Sequence, residues 1–321
     1  MNITEFTAFA AEELEALLRE EMREDVEVET QEVMKMNDQR LHGIMIRGGE
    51  DPTPTYYVEE MYRDFQRGAD PALLIRQLAE AFRSMQEAGP FPAEMVPDME
   101  YRTIKRKVGL RLAGMDYNRE FLKTVPYKDV GNGYALLCDV QIKASDGGIF
   151  STLITNDLAQ ERHYDMEVLF QNALDNAWKS KSAVLRGAGE LMGADDSEEE
   201  MCFVLTTDRP RYGAAALFYP GTQAMIAHVL QEDYIALPSS LHEFMIIRAS
   251  CGASIEYLQQ LVREANRTVV QPEEVLSDNI LKYCRSTGEL VLFTDDAAQS
   301  EQSAKSEQLS AQPTRPSAWQ S

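Results

Sequence analysis

The chain has 321 residues, 44% of them hydrophobic and 26% charged, a balance that suits a water-soluble globular protein with a sizeable core. Its 31 basic residues are outnumbered by 53 acidic ones, for a net charge of −22. Such a surface repels phosphate backbones and anionic lipid, so neither direct nucleic-acid binding nor membrane binding is expected.

No apolar run approaches the roughly 20 residues of a membrane span. The opening MNITEFTAFAAEELEALL is acidic and amphipathic, with no basic stretch or cleavage site, and does not read as a secretory signal. Four separated cysteines (Cys138, Cys202, Cys251, Cys284) form no C-x-x-C pair, which fits reduced thiols in a cytoplasmic protein.

Residues 4–22 read as a helix with Thr4 as N-cap, because Phe6, Ala10, Leu14, Leu17, Leu18 and Met22 recur at helical spacing. From Val26 the period falls to two, and Asn37-Asp38 between the apolar alternations predicts a hairpin. Gly48-Gly49 and Asp51–Pro54 then break the chain. Helices are expected over Tyr56–Gln66 and after Asp70-Pro71, the latter ending before Gly89-Pro90. Tyr101, Ile104, Val108, Leu112 and Met115 predict a further helix over 99–115. Its Arg102, Lys105, Arg106, Lys107 and Arg111 are the one concentrated basic patch, explained by ion pairing or solvation more cheaply than by a phosphate site.

After residue 134 the pattern strand–strand–helix recurs three times. Tyr134–Lys143 and Ile149–Thr155 flank the turn Asp146-Gly147-Gly148, and Asp165 caps a helix whose apolar face runs from Met166 to Trp178. A Gly-rich acidic loop is expected up to Glu200. Cys202–Thr206 and Ala214–Tyr219 then read as strands, followed by a helix from Thr222 that uses Met225, Ile226, Val229 and Leu230. Tyr234–Leu237 and Phe244–Ile247 form the third pair, with a turn at Leu237-Pro238-Ser239, before a helix capped by Ser254 with Leu258, Leu261 and Val262 inward. Ile280–Cys284 and Leu290–Phe293 close with a hairpin. The fold class is therefore α+β: mainly antiparallel sheet built from repeated strand–strand–helix units, with helices packed on one face. Three regions are expected: 1–128, helical with a hairpin; 129–294, α+β; and a polar tail, 295–321, too poor in apolar residues to order itself.

The chemically suggestive cluster is Ser239-Ser240-Leu241-His242-Glu243, which holds the ingredients of nucleophilic catalysis. In extended chain, however, Ser240 and His242 lie about 6.5–7 Å apart along one face. A nucleophile and its base need roughly 2.6–3.2 Å. No G-x-S-x-G elbow presents a serine, so a turn in which Ser and His bond backbone groups explains the cluster as well. Gly187, Gly189 and Gly193 resemble a dinucleotide loop only superficially, because Asp195-Asp196 and Glu198–Glu200 follow at once. That acidic run lacks the alternating ligands of a calcium loop, and His42, His163, His228 and His242 make no H-E-x-x-H pair. His228, beside apolar positions, reads as a core or boundary residue. No cofactor and no metal site is expected.

The stretches Leu153–Leu158 (LITNDL), Phe203–Thr206, Gly213–Gly221 (GAAALFYPG), Tyr234–Ile247 (YIALPSSLHEFMII) and Glu274–Tyr283 (EVLSDNILKY) together resemble an uncharacterised family of clostridial gut bacteria. The resemblance reaches to about Phe293 and implies a bacterial cytoplasmic setting, but no activity, ligand or catalytic residue. Three functional readings remain open. One is a soluble binding or regulatory protein with a protein partner, and the second is a hydrolase-like enzyme using Ser239, Ser240, His242 or Glu243. The third is an acidic mimic of nucleic acid.

Overall fold

The computed structural model describes residues 1–22, 26–47, 55–87, 98–143, 149–180, 182–189, 201–208 and 211–294. The breaks at 48–54 and 89–97, the turn at 146–148, the acidic run at 195–200 and the tail at 295–321 lie outside the described residues. Two compact units emerge. The first comprises residues 1–107, 118–125 and 140–164, the second 108–117, 126–139 and 165–321.

In the first unit helix α1 (Ile3–Met22) is capped by Asn2, not by Thr4. The Asn2 side chain accepts from the Glu5 N–H, and the Glu5 carboxylate accepts from the Asn2 N–H, both at 2.9 Å. This reciprocal pairing satisfies two backbone donors that an isolated Thr4 cap would leave open. Strands β1 (Glu27–Met34) and β2 (Arg40–Arg47) form the expected hairpin, with Asn37 and Asp38 both at positive φ in the turn. Tyr56 and Tyr57 lie on a short strand β3 (Thr55–Tyr57), and the helix α2 begins only at Glu59 and ends at Gln66. Tyrosine suits a pleated edge, and pairing with β2 outweighs the helical reading of the start of Tyr56–Gln66.

Gly43 sits in the middle of the central strand β2. A Cβ there would collide with the Thr55 methyl, and this gap lets Gln31 of β1 donate to the Thr55 hydroxyl at 2.7 Å. Helix α3 (Pro71–Glu87) starts on Pro71 as expected. The core joins Leu14 and Leu18 of α1, Ile44 and Ile46 of β2, and Ile75 and Phe82 of α3. Each such buried side chain contributes about 1.5–3 kcal/mol.

The span 99–115 departs from the helical reading. Helix α4 covers only Tyr101–Ile104, and Val108–Gly114 is strand β4. Val108 and Leu112, four apart, fit a helical stripe, but with Leu110 they also fit a period of two, and burial on both faces selects the strand. The basic patch is split accordingly. Arg102, Arg106 and Lys107 are exposed, while Arg111 is buried.

The second unit holds a six-stranded antiparallel sheet in the order β13-β12-β10-β11-β9-β8. Its strands are β8 (Ala183–Gly187), β9 (Cys202–Thr207), β10 (Tyr234–Ser240), β11 (Glu243–Arg248), β12 (Leu281–Cys284) and β13 (Glu289–Leu292). A second sheet orders β4, β6 (Tyr134–Lys143) and β5 (Tyr127–Asp129), with β7 (Ile149–Leu153) also on β6; β7 and residues 140–143 of β6 belong to the first unit. Helix α5 covers Asn156–Glu161 in the first unit, and in the second Asp165 caps α6 (Met166–Ser180) through the Val168 N–H. Helix α7 covers Thr222–Leu230, and Ser254 caps α8 (Ile255–Thr268), whose Ile255, Leu258 and Val262 pack on Ile235, Leu237 and Ile280.

Four expectations for this unit are corrected. Residues 183–187 form strand β8 where a loop was expected, paired through a full register with β9. Residues 213–218 are a buried 3-10 turn, not a strand, so the strand–strand–helix rhythm lapses at its middle repeat. Small side chains at Gly213, Ala214, Ala215 and Ala216 permit this tight coil against the sheet. Pro238 lies inside β10 opposite Phe244, and the chain reverses at Leu241-His242 instead. Finally Trp178, Val229, Leu261 and His228 are exposed, although helical spacing had placed the first three inward and His228 in the core or at its boundary. The class itself is as expected: α+β with antiparallel sheets.

Candidate functional site

Burial and charge converge on the reversal between β10 and β11. Leu241 anchors it, being buried, with its N–H donating to the Glu274 carbonyl at 2.9 Å. His242 follows, half-buried. Its main-chain oxygen accepts from the Thr206 hydroxyl of β9 at 2.8 Å. Gly213 fits beneath: a Cβ at that position would run into Thr206 Oγ1, the His242 carbonyl and the Thr207 nitrogen. Only glycine brings the 3-10 turn this close to the strand ends.

The imidazole has a partner at each nitrogen. Nδ1 accepts from the Tyr212 N–H at 3.0 Å, and Nε2 faces Glu274 Oε1 at 3.1 Å. Because a backbone N–H can only donate, the neutral ring must carry its proton on Nε2 and give it to Glu274. Tyr212 holds this position from a left-handed conformation, φ 60, which costs on the order of 1 kcal/mol for a residue with a Cβ. Its ring lies tilted to the imidazole, with centroids 5.7 Å apart.

Behind Tyr212 stands Arg111 of β4, whose guanidinium carbon is 3.5 Å from the tyrosine ring centroid. Arg111 also meets Asp139 of β6 at 3.5 Å, and the pair is almost fully buried, with side chains 8% and 2% exposed. A continuous series therefore runs Asp139, Arg111, Tyr212, His242, Glu274. Next to it Cys138 is buried, and desolvation pushes its thiol far above the ordinary range, which keeps it protonated and unreactive.

The serines stand apart from the ring nitrogens. Ser240 Oγ accepts from the His242 main-chain N–H at 3.1 Å, and Ser239 Oγ donates to Glu243 at 3.2 Å. Ser239, Ser240, His242 and Glu243 thus share one reversal, but each ring nitrogen of His242 is engaged by a residue more than 25 positions away. Spacing within 239–243 carries no trace of Tyr212 or Glu274. Among the described residues no group of three or more His, Cys, Asp or Glu side chains is arranged to hold a metal ion.

The chain matches the family of unknown function DUF5688 over residues 5–285. It belongs to that family. The matched span includes Thr206, Tyr212, Gly213, His242 and Glu274, as well as Arg111 and Asp139. No curated protein and no solved structure matches the chain. Among the described residues no helix is long and apolar enough to cross a membrane.

Proposed function

We propose that this chain is a bacterial, cytoplasmic binding or regulatory protein that acts by holding a protein partner, without catalysing a reaction. The observation that carries the reading is Trp178. This tryptophan near the end of α6 is 63% exposed, with its ring edge resting where Gly221 lacks a side chain. Leaving so large an apolar ring in water forgoes a substantial burial gain, and exposed tryptophans are the side chains most enriched among binding hot spots. Tyr257 and Leu261, one turn apart on α8, add exposed apolar surface of the same kind, at 61% and 46%.

The test is affinity capture of the full chain at native abundance from its own cells, in parallel with Trp178→Ala. The reading expects a partner retained by the parent protein and depleted about tenfold or more by the variant, whose melting temperature stays unchanged. Capture of nothing above background would overturn it.

A second reading is a hydrolase-like centre on His242, favoured by one geometric fact. Glu274 lies at 3.1 Å from Nε2, as an orienting carboxylate does in acid–base dyads. Ser239 or Ser240 would be the nucleophile, and the Tyr212 N–H would have to leave Nδ1 for the ring to accept a proton there. Labelling by a fluorophosphonate probe, abolished by Ser240→Ala or Ser239→Ala, would establish it. An unlabelled chain would remove it.

A further inference from the structure

Strand β1 is the open edge of the three-stranded sheet β1-β2-β3. Its register against β2 is unbroken over eight residues, Glu27↔Arg47 to Met34↔Arg40. The direction of each backbone group follows from the turn. The Lys35 N–H donates to the Gln39 carbonyl at 2.7 Å, which makes Lys35–Gln39 a hydrogen-bonded pair. In an antiparallel ladder bonded pairs alternate. Glu27, Glu29, Gln31 and Val33 therefore bond to β2, and Val28, Thr30, Glu32 and Met34 turn their N–H and C=O groups outward. The far side of β2 agrees: the His42 carbonyl there accepts from the Val58 N–H at 2.9 Å. Among the described residues no other backbone group bonds to the outward groups of β1.

Natural edges of this length are guarded by charged side chains, lysine above all, by proline or by a bulge. The sequence EVETQEVM has no lysine, proline or bulge, and its charged guards are three glutamates, which repel an acidic strand and admit a basic one. Arg47 meets Glu29 and Arg40 meets Glu32 from β2, while Glu27 is exposed and has no ion-pair partner among the described residues. A second copy of this chain is a poor occupant, because two molecules of charge −22 would approach through strands that each carry three carboxylates.

We infer that β1 accepts an added strand from a partner, namely an extended segment with lysine or arginine at alternate positions. Backbone bonds to Val28, Thr30, Glu32 and Met34 supply affinity, and the alternate cations face Glu27 and Glu29 on the same side of the sheet. This deepens the binding-protein reading above and rests on it.

The experiment uses the full chain and three ten-residue probes: alternating Lys-Thr, alternating Glu-Thr, and a block peptide of five lysines followed by five threonines. Amide exchange is followed residue by residue. The Lys-Thr peptide should protect Val28, Thr30, Glu32 and Met34 at least tenfold, leaving the already bonded Glu27, Glu29, Gln31 and Val33 little changed. Thr30→Pro removes one outward donor without touching the bonds to β2, and should abolish the protection. Should that variant fail to fold, Glu27→Lys with Glu29→Lys decides: affinity should fall about tenfold or more. Equal protection by the Glu-Thr or block peptide, or unchanged affinity of a folded variant, overturns the inference. So does protection that grows with protein concentration in the absence of peptide, which would name a second copy as the occupant. Failure here, with partner capture through Trp178 intact, would discard the edge and keep the binding reading. Strand addition without any captured partner would instead tell against Trp178.

Discussion

Tyr212 gives its backbone N–H to Nδ1 of His242 from a left-handed conformation, and both residues depend on Gly213 for the approach. A strained residue held by a neighbour's ring shows that the surrounding contacts outweigh the strain. His242→Ala should remove both ring contacts and lower stability by about 1–3 kcal/mol. Chemical denaturation with an unchanged m-value would show it, and a loss below a few tenths would mean the ring contacts carry no weight.

Gly213→Ala places a methyl group against main-chain atoms of Thr207 and His242, where no rotamer change relieves it. The expected cost reaches or exceeds the upper end of the usual overpacking range of about 1–3 kcal/mol. Thermal melting should show Gly213→Ala losing more than Gly131→Ala, where nothing crowds the new Cβ and only its positive φ is strained.

Arg111 and Asp139 form a buried pair, so removing one charge leaves the other with less compensation in a poorly solvated place. Asp139→Leu should cost about 3–5 kcal/mol, and the double change Arg111→Met with Asp139→Leu less than the sum of those two singles. Additive losses in a double-mutant cycle would show that the two side chains do not interact.

Tyr117 donates its hydroxyl to Asp278 at 3.0 Å. Desolvation first, and then this carboxylate, push its pKa up to about 12, above the ordinary value of 10.0. The folded state therefore holds the phenolic proton more tightly than the unfolded chain does. The contribution is complete below pH 10.0 and disappears as the pH climbs towards about 12. Stability measured across that window should fall more steeply for the parent chain than for Tyr117→Phe, and superimposable curves would refute the assignment.

The sequence made local features legible where periodicity and capping agree: the hairpin over Asn37-Asp38, the Asp165 and Ser254 caps, and the final hairpin at Gly288. It misled where two periods fit the same letters. Val108 and Leu112 read equally well as part of a helix or a strand until β6 is known to lie alongside. Ala214–Tyr219 is apolar enough for a strand, and only contact with β9 and the His242 carbonyl selects the 3-10 turn. In the candidate site, His242 was singled out by composition. Its partners Tyr212 and Glu274 were not, because a hydrogen bond spanning 30 or 32 residues leaves no mark in local spacing.

The tip of the first hairpin reaches a long way along the chain. Asp38 accepts from the N–H groups of Glu120 and Phe121, and Asn37 pairs with Asn118, all within the first unit. During synthesis the hairpin must therefore wait, with its acceptors open to water, until more than eighty further residues have left the ribosome. The first unit is completed only at residue 164, after strand β4 and the start of β6, both belonging to the second unit, have already emerged. No single cut in the gene releases either unit with all its parts, so the two are made, and must be expressed, as one.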